Sequence, residues 1–267
     1  MTKVRSPKAG IDLADAHVVL TGATGGVGSA LARELSGRGA RLSLVARREG
    51  PLNQLATELG GVAIRADLSD LAQVDDLGAR LNDVNGPVDI LVNNAAVVVA
   101  GPHADQSAED VRQTLIANLL APVELTRQVL PSMIKNGRGT VVNVSSLVAE
   151  TPLPNTASYS TSKAGLTQFT LNLQLEIRKT PVTALLVVLG SILGTTLNDA
   201  GLRDPVVARL TTKFEKLPHL SADFVASRIA QALAEGRQSL ILPAVSAPAV
   251  HFRRLPGRLA EVLMGGM

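Results

Sequence analysis

Short runs of aliphatic and β-branched residues alternate along the chain with longer segments of helical period, and this alternation limits the possible folds more than any other feature. The apolar runs occupy residues 17–21, 41–45, 62–65, 88–92, 139–144, 184–189 and 239–242. Helical period is found over residues 27–38, 51–59, 71–82, 108–135 and 158–179. Strands that alternate with helices form parallel sheets with helical crossovers. The pattern therefore predicts an α/β fold, with a doubly wound parallel sheet of about seven strands in a single domain.

The composition excludes several classes of protein. The chain has 267 residues, of which 46% are hydrophobic and 18% charged, and this balance excludes intrinsic disorder. Its net charge of +3 is too small to indicate a nucleic-acid binder. The chain has no cysteine, so disulfides and thiolate chemistry are excluded, and its four histidines lack metal-ligand spacing. We therefore predict no metal site and no nucleic-acid partner.

The first residues and the most apolar stretch bear on domain organisation and location. Residues 1–16 contain five charged residues and no apolar run, which is not the pattern of a secretory signal. We predict that they form a disordered N-terminal extension to one domain over residues 17–267. The most apolar stretch, residues 182–193, is shorter than a membrane span. We expect a cytoplasmic location.

A glycine-rich turn lies between the first predicted strand and the first predicted helix. Glycines let the backbone turn sharply and approach a pyrophosphate closely, and the helix N-terminus supplies free N–H groups. A tight turn without a ligand is the alternative. The placement between a strand and a helix favours dinucleotide binding in a Rossmann-like fold. The predicted contacts in this turn are Thr21, Gly22, Thr24, Gly26, Val27 and Gly28.

Four motifs in order resemble those of the short-chain dehydrogenase/reductase family, over about residues 17–196. The glycine turn has the TGxxxGxG form, and the sequence Asn-Asn-Ala-Ala at 93–96 stands where the family has NNAG. Asn118 matches the family's asparagine, and Tyr159 and Lys163 form its YxxxK motif. Ser146 precedes Tyr159 by thirteen positions, which is the family spacing. The resemblance implies an NAD(P)-dependent oxidoreductase that interconverts a carbonyl and a secondary alcohol.

The resemblance also implies roles for these residues. Tyr159 would be the general acid in reduction and the base in oxidation, with Ser146 hydrogen-bonded to the substrate oxygen. Lys163 lies four residues on, on the same helix face, and its ammonium would lower the phenol pKa from about 10. Lys163 would also bind the nicotinamide ribose, Asn118 would hold a water that links it to solvent, and Asn94 and Ala95 would contact the cofactor. Taken singly, such residues are more often core, cap or backbone partners.

The end of the second predicted strand bears on the choice of nicotinamide cofactor. A carboxylate there would bind the 2′-hydroxyl of NAD, but Ala46 occupies that place, followed by Arg47 and Arg48. A guanidinium suits a 2′-phosphate, so we predict NADP(H) in preference to NAD(H). A solvated basic loop is the alternative. Asp67 and Leu68 match the family's adenine contact, although Asp67 could instead cap a helix.

The chain departs from the family pattern after the sixth predicted strand. Leu189 stands where the family usually has proline, before Gly190. The resemblance implies that Thr195 or Thr196 contacts the carboxamide, and a loop of different shape is the alternative. Gly190, Ile192 and Thr195 are the predicted cofactor contacts. Residues 190–222 form the predicted substrate loop, whose apolar residues favour a hydrophobic carbonyl substrate. Packing of the same residues against the sheet is the alternative. The predicted lining residues are Leu197, Leu202, Val206, Val207, Leu210 and Phe214.

The predicted C-terminal tail, residues 251–267, is amphipathic. Its apolar positions are Leu255, Leu259, Val262 and Leu263, and its charged positions are Arg254, Arg258 and Glu261. A helix packed on the domain or on a partner subunit explains this pattern, and a helix at a membrane surface is the alternative. The resemblance to the family implies a homodimer or homotetramer. The same prediction is supported by the apolar residues Leu166, Phe169, Leu173 and Ile177.

Two other functions stay open from the sequence. One is a regulatory or scaffold protein that binds the cofactor without turnover, and the other is a membrane-surface module. The natural substrate, the direction of the reaction and its stereochemistry depend on the variable loop, and the fold does not reveal them.

Overall fold

A computed structural model describes residues 10–192, 195, 200–213 and 220–253. Its centre is one parallel sheet of seven strands in the order β3-β2-β1-β4-β5-β6-β7. The strands are β1 (His17–Thr21), β2 (Arg41–Ala46), β3 (Val62–Arg65), β4 (Ile90–Asn93), β5 (Thr140–Ser146), β6 (Thr183–Leu189) and β7 (Ser239–Leu242). The predicted doubly wound α/β fold is confirmed, including the number of strands.

Helices connect the strands on both faces of the sheet. They are α1 (Gly26–Gly37), α2 (Glu49–Leu59), α3 (Leu71–Val74), α4 (Leu77–Asn85), α5 (Ala108–Leu115), α6 (Ala121–Lys135), α7 (Ala157–Glu176), α8 (Pro205–Lys213), α9 (Ala222–Ala234) and α10 (Ala247–Arg253). The helix predicted over 108–135 is interrupted by a π-helical turn at Ile116–Leu120. The helix predicted over 71–82 is divided into α3 and α4, and α9 was not predicted.

Successive strand residues alternate between two apolar layers. Val18 and Leu20 of β1 face the layer that contains α1 and α9, whereas Val19 faces the layer that contains α4, α6 and α7. All three are fully buried. Parallel strands covered on both faces read as continuous apolar runs, which is why periodicity predicted them well.

Part of the predicted N-terminal extension belongs to the packed domain. Leu13 and Ala16 are buried, and the Ile11 amide donates to the carbonyl of Leu233 at the end of α9. Packing therefore begins by about residue 11 rather than residue 17, because these apolar side chains cover α1 and α9. Residues 1–9 lie outside the described residues, and so does the predicted tail beyond residue 253.

The apolar residues of α7 pack inside the chain rather than on its surface. Leu166 and Leu173 are buried, as is Ile177 just after the helix, and Phe169 is partly buried against the same layer. They therefore give no support to the predicted oligomer, which stays a prediction. Among the helices in the described part of the chain, none is both long and apolar enough to cross a membrane.

The strand order creates a crevice at one edge of the sheet. The chain moves outward from β1 through β2 to β3 and then returns to place β4 on the other side of β1. Loops that leave the carboxyl ends of β1 and β4 consequently diverge, and ligands of open α/β sheets bind at such a switch point. The glycine turn follows β1, and the Asn-Asn-Ala-Ala segment begins at the end of β4.

Candidate active site

A cavity of about 590 Å³ lies at the carboxyl edge of the sheet, over this crevice. It joins the glycine turn to the start of α7. The predicted site residues that line it are Gly22, Thr24, Gly26, Val27, Gly28, Arg47, Arg48, Asp67, Leu68, Asn94, Ala95, Ser146, Tyr159, Lys163, Gly190, Ile192 and Thr195. Thr21 and Asn118 are not among the lining residues. The structure therefore brings together residues that are far apart in the sequence.

Close packing requires two of the glycines in the turn after β1. Gly22 has a φ of +66°, and a Cβ there would lie 2.7 Å from the Cα of Ala95. A Cβ at Gly28 would lie 2.1 Å from the carbonyl oxygen of Gly22. No side chain caps the N-terminus of α1, where Gly25 is the N-cap residue. The turn therefore presents backbone N–H groups and the positive end of a helix dipole to the cavity.

Thr21 joins the turn to β4 and does not face the cavity. Its hydroxyl donates to the carbonyl of Val92 and accepts hydrogen bonds from the amides of Asn94 and Ala95. The Asn94 side chain in turn donates to the carbonyls of Thr21 and Gly22. The predicted cofactor contact at Thr21 thus corresponds to a structural bond that holds the two diverging loops together.

Two arginines lie at the β2 end of the cavity. The Arg48 guanidinium donates to the carbonyl of Thr24 over 3.2 Å. Arg47 is more than half exposed, and its Nη1 lies 3.7 Å from Oδ2 of Asp67. Asp67 accepts hydrogen bonds from the amide and hydroxyl of Ser69, while Asp70 is the residue that caps α3. The cap proposed as the alternative for Asp67 therefore belongs to Asp70.

Ser146, Tyr159 and Lys163 meet at the other end of the cavity. Ser146 ends β5, and its side chain is hydrogen-bonded to that of Tyr159 in the first turn of α7. Lys163 lies one turn further along, with only 2% of its surface exposed. Its Nζ donates to the carbonyl of Val144 in β5 over 2.9 Å. This bond anchors the ammonium at the strand end.

Burial shifts the pKa values of both titratable residues. It raises the pKa of Tyr159 to about 12, although the hydrogen bond with Ser146 works in the opposite direction. Burial also lowers the pKa of Lys163 to about 8. We predicted a lowered pKa for Tyr159, and the difference has a physical cause: the cost of burying a phenolate outweighs the hydrogen bond from Ser146. Tyr159 is consequently protonated at neutral pH.

Asn118 lies in the π-helical turn and connects that turn to two neighbours. Its Oδ1 accepts from the amide of Val97, and its Nδ2 donates to the carbonyl of Val97, each over 2.8 Å. Nδ2 also lies 3.1 Å from Oγ of Ser162 in α7. Its side chain thus joins the loop after β4 to α7, and π-helical turns often occur at functional sites.

The segment that departs from the family pattern closes the cavity after β6. Pairing with β7 continues past the missing proline, because the Gly190 amide donates to the carbonyl of Leu242 over 2.8 Å. Thr195 is buried, and its hydroxyl donates to the carbonyl of Ile192. A Cβ at Gly26 would lie 2.7 Å from Cγ2 of Thr195, so this threonine packs on the glycine turn. Thr196 lies outside the described residues.

Further lining residues were not named in the sequence prediction, although Ala200 and Gly201 belong to the predicted substrate loop. They are mostly apolar and come from loops after β4, β5 and β6: Ala96, Val97, Val98, Val148, Leu153, Ala200 and Gly201. Of the predicted apolar lining, Leu202 and Val207 face the cavity, whereas Val206 is 41% exposed and Leu210 is not among the lining residues. Leu197 and Phe214 lie outside the described residues. Position after a parallel strand is the signal that could have identified Val97 and Val98.

Comparison with known proteins decides the family. The sequence model of the short chain dehydrogenase family matches residues 16–204, which is more than half of the chain. The chain belongs to the short-chain dehydrogenase/reductase family. It is therefore an NAD(P)-dependent oxidoreductase.

Relatives and solved structures agree with this assignment. A protein named ketoacyl reductase HetN, from Nostoc sp., is 34% identical over 73% of this chain and 70% of its own length. Nodulation protein G from Rhizobium sp. is 36% identical over 68% of this chain and 75% of its own length. A Sphingobium yanoikuyae short-chain dehydrogenase solved with NADPH has a TM-score of 0.80 and 26% identity, covering 94% of this chain and 96% of that one. A Burkholderia phymatum enzyme solved with NAD has the same TM-score at 24% identity and shows the shared fold.

Proposed function

We propose that this enzyme uses NADPH in preference to NADH to reduce a carbonyl group on an apolar substrate, with Tyr159 as the general acid. The observation that carries the proposal is the placement of Ser146, Tyr159 and Lys163 on the cavity that also contains the glycine turn. Hydride transfer requires the reacting carbon and the nicotinamide to meet beside a proton donor. A single cavity that contains both sets of groups satisfies this requirement.

The glycine turn fits a nucleotide pyrophosphate. Its two close contacts exclude a Cβ at Gly22 and at Gly28, so the backbone presents its N–H groups without side chains in the way. The N-terminus of α1 has no capping side chain, so its dipole is available to an anion. Hydrogen bonds between Asn94, just after β4, and Thr21, at the end of β1, hold the turn in place.

A guanidinium at the end of β2 supports the preference for NADPH. Ala46 provides no carboxylate to bind the 2′-hydroxyl of NAD, and Arg47 is exposed beside it. The 3.7 Å contact between Arg47 and Asp67 is loose, so a 2′-phosphate could replace it with shorter charge-assisted hydrogen bonds. A short-chain dehydrogenase from Sphingobium yanoikuyae that shares the fold was solved with NADPH.

Tyr159 is suited to donate a proton in the reductive direction. Its pKa of about 12, like the ordinary value of 10, lies well above 7, so the phenol carries its proton at neutral pH and can donate it to the carbonyl oxygen as negative charge develops there. Ser146 would hold the same oxygen by a second hydrogen bond. Lys163, held by the carbonyl of Val144, would bind the ribose of the cofactor and place a positive charge near the phenol. The cofactor supplies the hydride when it is bound.

Asn118 would hold the water that links Lys163 to solvent. Its side-chain amide already bonds to Val97 and Ser162. The side chain would then serve to keep the π-helical turn in register with α7.

The apolar half of the cavity supports a hydrophobic carbonyl substrate. Val97, Val148, Leu153 and Val207 line the cavity that also contains Tyr159. Burial of such surface favours aliphatic or aromatic groups next to the carbonyl over small charged acids. A relative that covers most of this chain is named as a ketoacyl reductase, which also places a carbonyl beside an aliphatic group.

The test is NADPH oxidation with a panel of ketones and ketoacyl thioesters at pH 7. Tyr159→Phe is expected to lower kcat by about 10²–10⁴-fold while NADPH still binds. Thr161→Ala, an exposed position on the same helix, is the matched control and should retain full activity. The proposal would be overturned if the wild-type protein bound NADPH but reduced none of the carbonyl compounds in the panel. The alternative of a regulatory protein without turnover is not favoured, because Ser146, Tyr159 and Lys163 all line the same cavity.

A further inference from the structure

Asn155 has an unusual backbone conformation four residues before Tyr159. Its φ is +61°, in the left-handed region, where asparagine is tolerated better than most residues. Two nearby residues, Leu153 and Thr156, line the cavity. The position therefore lies at the rim of the proposed substrate site.

Asn155 joins two other segments of the rim. Its carbonyl accepts a hydrogen bond of 2.8 Å from the amide of Gly101, in the loop after β4. Its Nδ2 lies 3.0 Å from Oδ2 and 3.2 Å from Oδ1 of Asp204, in the segment after β6. Three loops that follow three different strands consequently meet at this one residue.

Asp204 controls the start of α8. Its Oδ1 accepts hydrogen bonds from the amides of Val206 and Val207 over 3.0 and 2.9 Å, and its carbonyl accepts from the amide of Ala208. Val207 is buried and lines the cavity, and Leu202, two residues before Asp204, lines it as well. The position of Asp204 thus determines where this apolar wall lies.

The two oxygens of Asp204 have different tasks. Oδ1 is occupied by the two amides of α8, whereas Oδ2 makes the shorter contact with Asn155. The hydrogen bonds from the Val207 amide and from Asn155 lower the pKa of the carboxyl group, so it is ionised at neutral pH. A neutral amide that donates to a carboxylate forms a charge-assisted bond, which is stronger than a bond between neutral groups.

We propose that Asn155 and Asp204 are a positioning pair that holds the apolar wall of residues 200–207 against the loop before Tyr159 and so sets which carbonyl substrates fit. This inference rests on the proposed function, because it assumes that the wall contacts the substrate. Neither residue of the pair is among those that line the cavity with the reacting groups and the glycine turn. Its loss should therefore change substrate choice and leave NADPH binding unchanged.

Three variants separate the pair from general folding effects. Asn155→Gly keeps the left-handed backbone and removes the side chain. Asn155→Asp places two carboxylates face to face, so it should displace the wall further. Asn155→Asp combined with Asp204→Asn reverses donor and acceptor. The amide introduced at position 204 can keep its oxygen on α8 and turn its nitrogen toward the carboxylate introduced at position 155. The reversed pair should therefore restore the wild-type behaviour.

Two measurements judge the result. Hydrogen exchange at the amides of residues 206–208, without substrate or cofactor, should quicken at least about fivefold in both single variants and return to the wild-type rate in the reversed pair. The ratio of kcat/KM for a compact ketone to that for a bulky ketone should fall about three- to tenfold in the single variants, mainly through KM, and recover with the reversed pair. The NADPH Kd should stay within about twofold throughout.

The outcomes are distinguishable. Exchange that is unchanged in the single variants, or not restored by the reversed pair, would overturn the pairing itself. Faster exchange without a change in the kcat/KM ratio would overturn its role in substrate choice. A wild-type enzyme that reduces no carbonyl would defeat the proposed function instead, while the exchange data would still judge the pairing.

Discussion

The two edges of the sheet use buried polar side chains in opposite ways. At the amino edge, the amide of His17 donates to Asp89, and its ring contacts the carbonyl of Gly86 through Nδ1 and Oγ of Ser43 through Nε2. Arg138 completes this amino-edge network with two hydrogen bonds to Asp89, of 2.7 and 2.6 Å. Every one of these groups is satisfied by another group of the same chain.

The carboxyl edge differs because some of its polar groups lie on an open cavity. The N-terminus of α1 is uncapped, and Ser146 and Tyr159 bond mainly to one another beside an open cavity. Lys163 is buried and bonds to a strand carbonyl. The difference is what the proposed function requires: buried polar groups stabilise the fold at the amino edge, and we propose that those on the cavity serve the reaction at the carboxyl edge.

The titratable residues at the two edges also have pKa shifts of different origin. At the amino edge, burial works to raise the pKa of Asp89, but the bonds from Arg138 and His17 outweigh it, so the pKa lies below its usual value and the ionised form stabilises the fold. At the carboxyl edge, burial raises the pKa of Tyr159 and lowers the pKa of Lys163, so it favours the neutral form of each side chain. Variants at the two edges should therefore separate activity from stability.

The largest expected effect is at Lys163. Lys163→Met should lower kcat by at least about 100-fold, because the positive charge near Tyr159 and the proposed ribose contact are lost. The free energy of unfolding should rise by about 1–3 kcal/mol, because a cation whose burial lowers its pKa to about 8 is removed. Kinetics and urea unfolding at pH 7 measure the two effects. Lys179→Met, at an exposed position, is the control, and a large loss of stability in Lys163→Met would contradict this account.

Gly28→Ala tests the glycine turn. A Cβ there would lie 2.1 Å from the carbonyl oxygen of Gly22, so the turn must deform, and the NADPH Kd should rise at least about 100-fold. Gly37→Ala is the matched control on the same helix, because a Cβ at Gly37 meets nothing within 4 Å. Isothermal titration measures both Kd values. Equal NADPH affinity in the two variants would contradict the prediction that this turn binds the cofactor.

Arg138→Met tests the amino edge. It leaves the nearly buried carboxylate of Asp89 without its partner, and the free energy of unfolding should fall by about 1–3 kcal/mol, a range reduced because half of the Arg138 side chain is exposed. The kcat of the folded enzyme should stay within about twofold. Arg80→Met, which removes an exposed pair with Asp76, is the control and should cost less than about 0.5 kcal/mol. Urea unfolding of the two variants measures the difference, and equal costs would contradict a stabilising role for the amino-edge network.

His17 should produce the smallest effect, visible as a dependence on pH. Burial lowers its pKa below the unfolded value of 6.5, so the unfolded chain binds more protons than the fold does. Its contribution to stability is therefore complete above pH 6.5 and is lost as the pH falls toward the folded pKa. In His17→Gln, the decrease in unfolding free energy between about pH 7 and about pH 5 should be smaller than in the wild type. His103→Gln, at an exposed position, is the control and should show the wild-type decrease in unfolding free energy. If both variants reduced that decrease equally, the buried ring of His17 would not be the source of the pH dependence.

Much of the fold and the cavity was predictable, because the motifs directly follow buried strands. Gly22, Asn94 and Ser146 each lie where a parallel strand ends, and parallel strands end at one edge. Properties that depend on three-dimensional burial were not predictable. The raised pKa of Tyr159 is one example, because residue spacing does not report the desolvation of a phenol.

Contacts between distant segments were also beyond the sequence. Asn155 and Asp204 are 49 positions apart, and neither has a pattern that points to the other. The apolar residues of α7 show a related limit: Leu166 and Leu173 read equally well as an interface or as core, and only the position of the sheet assigns them to the core. Leu13 likewise lies in a short segment without a strand or helix pattern, so the sequence did not predict its place in the core.

The most direct test of the central claim is a fluorescence titration of the wild-type enzyme and of Arg47→Ala and Arg48→Ala with NADPH and with NADH. We expect the wild type to bind NADPH at least about tenfold more tightly than NADH, since charge-assisted bonds to a phosphate exceed those to a hydroxyl. Arg47→Ala should remove most of that difference and leave the NADH Kd nearly unchanged. Failure of the wild type to bind either nucleotide would contradict a nicotinamide site at the carboxyl edge, and equal affinity for the two would contradict the role of Arg47.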